Sequence, residues 1–403
     1  MRPALIGALA LLLAAPFSAR AMTLAEAVEA AMARAPEGRA LGAERLSQQA
    51  QREAANRLFP GAPYLQLDTS SDRPGTHRGF ATYGQELGTP LWLPGEGTAT
   101  GRRADAGMAE VDARQTELRL AVAGLVREAV GNLDEAKLAI PVLQRRLQAA
   151  RQLQGIAERR AARGEAAPTD ALLAQSETAL AEAALAEPRT LAAQARARLE
   201  GLTGQPLPED ARAPSLAEER PSPARPLAEH PRLLGAERAV ETARAALALV
   251  EASRRESPVL ALQTRQEQAG AGQGFDSRVG VLVRIPFATE GRNRPRRAAA
   301  EADLARAEAQ RALAEREITT GLRQARLALD AAVNQRRLAD TAFRALDARR
   351  GQLERGFAAG EFPLVELLRA RLAAHDAELA RARAEAARRR ALAQLNQIAG
   401  QWP

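Results

Sequence analysis

The chain contains no cysteine. A disulfide framework, a thiol nucleophile, an iron–sulfur ligand set and a lipid-modified cysteine anchor are all excluded. Histidine is scarce. His77, His230 and His375 are each separated by more than 140 residues, so a His-rich metal centre is not expected. Met22, Met32 and Met108 form no thioether cluster. Neither a metal site nor a cofactor is implied. Aromatic residues are only 3% of the chain, too few for a thick globular core. No run of about 18 apolar residues follows the N-terminal segment, so no membrane-spanning helix is expected. No nucleophile–base pairing, phosphate loop or supported carboxylate dyad is present, and the chain does not read as an enzyme.

Alanine and arginine fill the space instead. Alanine alone is roughly a quarter of the 403 residues, and lysine occurs once, as Lys137. Both abundant residues favour helix, and small side chains let neighbouring helices approach closely. The formal charge of +8 would raise nucleic-acid binding. However, the 57 basic and 49 acidic residues are interspersed along helical segments. Aromatic platforms for single strands are also missing. The charges read as solvated helix faces, with no nucleic acid as partner.

Residues 1–21 read as a secretory signal. Arg2 supplies the basic start, Ala4 to Ala15 the short apolar run, and Ala19-Arg20-Ala21 a small-x-small cleavage site.

The remainder divides into two similar halves. Leu41-Gly42-Ala43-Glu44-Arg45 recurs 193 residues later as Leu234-Gly235-Ala236-Glu237-Arg238. Glu96-Gly97 with Arg102-Arg103-Ala104 recurs as Glu290-Gly291 with Arg296-Arg297-Ala298. Gly164-Glu165 with Asp170 and Leu172 recurs as Gly360-Glu361 with Glu366 and Leu368. Leu199, Leu202, Gly204 and Gln205 recur as Leu395, Ile398, Gly400 and Gln401. Four matches in order at offsets of 193 to 196 indicate a duplicated module. The repeats span 22–205 and 227–403. Residues 206–226, rich in proline, form an extended linker.

Each half reads as helix, hairpin, long helix, tip and returning helix. Thr23 and Glu26 offer a capping box for the first helix, which runs to about Leu58 with an interruption near Pro36. Its counterpart covers about 228–256. Two alternating segments follow in each half, with hairpins at about 64–92 and 259–287. The strands fall at about Tyr64–Ser71, Phe80–Trp92 and Val259–Glu267, and the fourth carries Val279, Val281, Val283, Ile285 and Phe287 on one face. Strands of about ten residues with one apolar and one polar face match a transmembrane barrel wall. An exposed soluble hairpin would show the same alternation. Aromatic placement favours the wall. Phe59, Tyr64, Phe80, Tyr83, Trp92, Phe275 and Phe287, seven of the eleven aromatics after residue 21, lie in or beside the hairpins. Four strands cannot close a barrel, and a spanning sheet must be closed. Three chains would supply twelve strands.

Long helices at about 98–160 and 292–357 follow the hairpins, each about 100 Å long. Val111, Leu118, Val122, Leu125 and Ala129 mark a seam on the first, and Leu322, Leu329 and Val333 on the second. Pro141 is expected to kink the first long helix. Pro188 is expected to interrupt the helix after it. The tips, about 161–170 and 357–366, carry Arg163-Gly164-Glu165 and Ala359-Gly360-Glu361. Returning helices cover about 168–200 and 363–396, with Pro168 and Pro363 at their first turns.

With these elements in place, the whole chain after the signal resembles the TolC family of outer-membrane efflux proteins. The resemblance rests on the duplicated unit and the two tip motifs. One runs from Arg163-Gly164-Glu165 through Pro168-Thr169-Asp170-Ala171-Leu172-Leu173-Ala174-Gln175. The other is Ala359-Gly360-Glu361-Phe362-Pro363-Leu364-Val365-Glu366-Leu367-Leu368, which is similar to the heavy-metal (cobalt–zinc–cadmium type) resistance branch. The resemblance implies a mainly α protomer and a homotrimer, with a periplasmic α-barrel and a shared twelve-stranded β-barrel in outer-membrane lipid. It implies a Gram-negative outer-membrane location, with the linker in an equatorial region. A periplasmic adaptor would dock at Arg163, Gly164, Glu165, Gly360 and Glu361, and an inner-membrane transporter of the resistance-nodulation-division type would supply energy. It also implies an acidic periplasmic entrance, with Glu366 and Asp170 at the matching positions. Arg369 stands where a second acid is common. Solvated charges in the first turn of a helix are the plainer reading of Asp170 and Glu366. Two other functions are open from the residues alone: a soluble periplasmic coiled-coil adaptor and a lipid-binding helical protein. The duplicated strands count against both.

Overall fold

The computed structural model describes residues 22–165, 167–207, 213–222 and 225–403. The expected signal sequence lies outside the described residues, as do Ala166 in the first tip and part of the linker. The order is α1 (Leu24–Arg34), α2 (Pro36–Ala55), β1 (Tyr64–Ser71), β2 (Ala81–Pro90), α3 (Glu96–Ala162) and α4 (Pro168–Thr203). The second half repeats it as α5 (Pro231–Ala252), β3 (Val259–Gln268), β4 (Asp276–Arg284), α6 (Glu290–Ala358) and α7 (Leu364–Ile398).

Local chemistry sets the boundaries. Thr23 Oγ1 accepts the Glu26 N–H at 3.2 Å and Glu26 Oε2 accepts the Thr23 N–H at 2.9 Å, the expected capping box. Pro36 and Pro168 occupy the first positions of α2 and α4, where a missing N–H leaves no bond unmade. The long helices α3 and α6 have 67 and 69 residues, or about 100 Å each. α3 continues through Pro141 without a break. The interruption expected at Pro188 is absent, because α4 continues through it as well. Proline removes one helix bond and crowds the preceding turn. Pro188 is buried, and packing along the rest of α4 outweighs that local cost.

The helices lie side by side. α3 meets α2 and α5 along its first part, then α4 and α7, while α6 meets α5 and then α7. The buried seam of α6 is mostly alanine: Ala300, Ala307, Ala314, Ala325 and Ala332, with Ile318. Steps of seven follow a coiled-coil period, and the step of four from Ala314 to Ile318 is a stutter that locally unwinds it. Within the protomer Leu322 and Leu329 are only half-buried and Val333 is exposed, so these residues lie outside its internal seam. Side chains this small let the helix axes come close, and the larger ones flank the seam. On α3, Val111, Val122 and Ala129 are buried as expected, whereas Leu125 is exposed.

The main core sits midway along the helices. Leu24 and Val28 of α1 pack there with Val126, Val130 and Leu133 of α3, Leu199 of α4 and Leu216 of the linker.

Both hairpins join one antiparallel sheet in the order β1–β2–β3–β4. β2 and β3 pair from Ala81↔Gln268 to Pro90↔Val259, although the residues are far apart in sequence. β4 starts earlier than its valines suggest and ends at Arg284, so Ile285 and Phe287 lie beyond it. Pro258 and Pro286 have no N–H with which to extend the ladder past Val259↔Arg284. β1 and β4 each keep one unpaired edge.

Candidate functional site

The sheet is polarised in the reverse sense to a soluble one. Leu65, Leu87, Leu262 and Val281 form one cross-strand row, and all four are exposed. Val279 and Val281 are 74% and 71% exposed. On the other face Thr82 and Glu86 are buried. Glu86 accepts hydrogen bonds from Tyr64 Oη and Gln263 Nε2, both at 2.6 Å. Gly84 and Gly88 share this crowded face. A Cβ on Gly84 would lie 2.1 Å from Asp68 Oδ1, and one on Gly88 would lie 2.5 Å from the Tyr64 ring.

Aromatics stand at both ends of the apolar rows. Tyr83 and Phe275 meet at the hairpin-loop end with ring centroids 5.8 Å apart. At the helix end, Trp92 Nε1 donates to the Arg57 carbonyl at 2.9 Å, and Phe287 is 86% exposed. This matches the band-and-girdle pattern of a lipid-facing wall. Among the described residues, no helix is long and apolar enough to cross a membrane.

The two tips share one geometry. Gly164 has φ +74 and Gly360 has φ +81, a conformation in which a Cβ is strained. At the first tip Glu165 N–H donates to the Arg160 carbonyl at 2.9 Å and Gly164 N–H to Ala161 at 3.0 Å. At the second, Glu361 donates to Gly356 at 2.9 Å and Gly360 to Phe357 at 3.1 Å. Both are Schellman caps, closing the last turns of α3 and α6. Gly356 has a further role, since a Cβ there would lie 2.4 Å from the Phe362 ring. Arg160 stacks over Phe357 at 5.2 Å, linking the ends of α3 and α6. Arg163 and Glu165 form a loose, exposed ion pair at 3.9 Å.

Asp170 and Glu366 occupy equivalent positions, the third residues of α4 and α7. The protomer does not bring them together by any hydrogen bond or ion pair among the described residues. The Asp170 carboxylate has no side-chain partner there. Glu366 has one: Arg369 Nη1 lies 2.9 Å from its Oε1, one turn along the same helix. Both side chains are substantially exposed, so this pair adds little stability. Its effect is local, because the guanidinium offsets the carboxylate charge.

Sequence reading missed a buried polar lock at mid-length. Arg127 Nε and Glu219 Oε1 are 2.6 Å apart, with side chains 5% and 4% exposed. Glu219 Oε2 accepts Asn396 Nδ2 at 2.6 Å. Arg127 Nη1 donates to Gln397 Oε1 at 2.6 Å and to the Gln401 carbonyl at 2.8 Å. Asp134 Oδ2 accepts Ser215 Oγ at 2.9 Å and Leu216 N–H at 2.8 Å. Glu218 Oε2 accepts the Leu24 N–H at 2.7 Å. The linker therefore ties α1, α3 and α7 together. Partners lying 92 and 177 positions apart leave no local motif.

Lower on α7, Glu385 is held by Arg336 at 2.6 Å and by Arg388 and Arg389 at 2.9 Å each. Burial pushes its pKa up. Hydrogen bonds from Arg388 and Arg389, with the charges of Arg388 and Arg336, outweigh burial and bring it down from 4.5 to about 2. A depressed carboxylate pKa stabilises the fold above the unfolded value, and that contribution is lost as pH falls through the folded one. The stability difference between the wild type and Glu385→Gln should therefore shrink between about pH 5 and about pH 2. Urea unfolding across this range checks it, and a pH-independent difference would contradict it.

Neither a family model nor a curated relative matches the chain. Solved structures do. The outer membrane protein VceC from Vibrio cholerae aligns with TM-score 0.72 at 16% identity, over 94% of this chain and 96% of that one. The Campylobacter jejuni CmeC outer membrane channel aligns with TM-score 0.71 at 14% identity, over 94% and 85%. The open state of the Neisseria gonorrhoeae MtrE outer membrane channel aligns with TM-score 0.67 at 20% identity, over 94% and 89%. The chain therefore has the fold of these outer-membrane channels along nearly its whole length. The mainly α architecture with a small antiparallel sheet, expected from the sequence, is the one observed.

Proposed function

We propose that this protein is the outer-membrane channel of a tripartite efflux pump in a Gram-negative bacterium. It would be a passive exit duct whose tunnel extends through the periplasm. The observation that carries this reading is the reversed sheet, apolar side out, attached to helices of about 100 Å. The fold shared with outer-membrane channels supports it. In this reading three protomers pair β4 of one with β1 of the next, and twelve strands close the barrel that lipid requires. The linker lies at the equator of the helical tunnel. A periplasmic adaptor docks on the glycine tips around Arg163, Gly164, Glu165, Gly360 and Glu361. An inner-membrane transporter, of the resistance-nodulation-division type, supplies the energy and selects the cargo. The second tip motif favours heavy-metal cations as cargo. Conduction needs sites weak enough to release what passes.

Cell fractionation tests the assignment: a detergent-extracted outer-membrane trimer is expected, and a soluble monomer would end it. The entrance has its own test. Asp170 and Glu366 would line the constriction, with Arg369 offsetting Glu366. In planar bilayers Asp170→Ala and Glu366→Ala should lower cation preference, and Arg369→Ala should raise it. Unchanged conductance and selectivity in all three variants would remove these residues from the entrance.

A further inference from the structure

We propose that the loop joining β1 to β2 binds phosphate groups of outer-leaflet lipid through Arg73 and Arg78. The proposal rests on the outer-membrane reading and adds lipid recognition to it.

The loop, residues 72–80, lies at the end of the sheet away from the long helices. It is folded around Asp72. Asp72 Oδ2 accepts the Thr76 hydroxyl at 3.1 Å and the Arg78 N–H at 2.6 Å. The Asp72 carbonyl accepts the N–H groups of Gly75 at 2.9 Å and His77 at 3.2 Å. The one acidic charge of the loop is thus engaged inside it. The second loop, 269–275, has no charged residue. It is fastened to the first through Ala271 N–H and the Arg78 carbonyl, 2.9 Å apart.

Arg73 and Arg78 are exposed. Neither guanidinium has an ion pair or hydrogen bond among the described residues, whereas arginines along the helices are widely paired with carboxylates. Each protomer therefore presents two guanidinium groups without an ion-pair partner among the described residues, beside the exposed His77. Their level on the sheet matters. Arg73 is two residues past the end of β1, and Arg78 is three before the start of β2. The apolar face ends just below, at the Tyr83–Phe275 ring pair. Basic side chains immediately beyond a membrane-embedded segment face the headgroup layer and attract anionic lipid. Arginine suits phosphate because its planar fork can donate two parallel hydrogen bonds. The outer leaflet of a Gram-negative outer membrane is a phosphorylated glycolipid, and that is the occupant the charge and position fit. Asp276 and Arg278 of β4 stand nearby, opposite Glu267 and Arg265 of β3, so these four residues add no net charge.

The test uses the full chain in detergent with two probes, bis-phosphorylated lipid A and the same lipid dephosphorylated. Native mass spectrometry reads lipid bound to the wild type, to Arg73→Ser/Arg78→Ser, and to Arg337→Ser as a helix-surface control. Flotation with phosphatidylcholine vesicles reads membrane insertion. The wild type and the control should prefer the phosphorylated probe by roughly tenfold or more, and the double variant should lose that preference. Equal retention of the two probes by the wild type, or an unchanged preference in the double variant, overturns the proposal while leaving insertion intact. Failure of the wild type to float overturns the membrane reading and this proposal with it.

Discussion

Glu219→Ala should destabilise the protein by about 3–5 kcal/mol, although Glu219 belongs to a proline-rich linker. The magnitude follows from what the substitution leaves behind. Arg127 is 5% exposed and loses its carboxylate partner at 2.6 Å. A buried guanidinium without a counter-charge keeps its desolvation cost and loses the attraction that offset it. Asn396, 2% exposed, loses the acceptor of one side-chain hydrogen bond. The linker is then held to α3 mainly through Asp134. Urea unfolding of the detergent-solubilised protein measures the loss, and a change below about 1 kcal/mol would show that the pair is dispensable. Replacing both partners, Arg127→Met with Glu219→Leu, separates two explanations. A buried ion pair exchanged for apolar side chains of similar size is often close to neutral. If the double variant is nearly as stable as the wild type, the single-variant loss comes from the stranded charge. If it is equally damaged, the hydrogen bonds of Asn396 and Gln397 to this cluster matter more than the charge.

This lock also marks the limit of what the sequence made legible. Elements set by local periodicity and punctuation were readable. The glycines at 164 and 360 mark the two tips, and both adopt positive φ. Strand alternation identified both hairpins, and the Thr23 capping box formed. Errors came where tertiary context outweighs local preference. Pro188 does not stop α4 because neighbouring helices bury it. The seam of α6 inside the protomer uses alanine, and the larger Leu322, Leu329 and Val333 lie outside it. The ends of β4 depend on its partner strand, where Pro258 stops the ladder. At the candidate entrance, Asp170 and Glu366 were readable as equivalent positions because the duplication is. The ion pair between Glu366 and Arg369 follows from their spacing on one helix. The Arg127–Glu219–Asn396 cluster had no comparable signal, since three distant segments must meet before it exists.

Two adjacent substitutions on β4 should have opposite outcomes: Val281→Arg should block membrane assembly, while Gly280→Arg should permit it. Neighbouring residues of a strand point to opposite faces. Val281 lies in the row with Leu65, Leu87 and Leu262 and is 71% exposed. Within a soluble sheet, arginine at such a position would be harmless or even favourable. Within a lipid-facing wall it costs about 2–4 kcal/mol at mid-depth, and in the proposed trimer three copies would incur the cost together. Gly280 faces the polar side, opposite Gln263. A Cβ added there meets no atom within 4 Å. In the proposed channel, Gly280→Arg should therefore insert normally and shift selectivity toward anions, because it would add positive charge to the barrel interior. Heat-stable trimer recovered from outer membranes measures assembly, and bilayer conductance measures selectivity. Equal recovery of both variants would mean that the apolar face does not meet lipid. The comparison is informative because the two positions are neighbours on one strand at nearly the same depth and differ chiefly in the face they occupy.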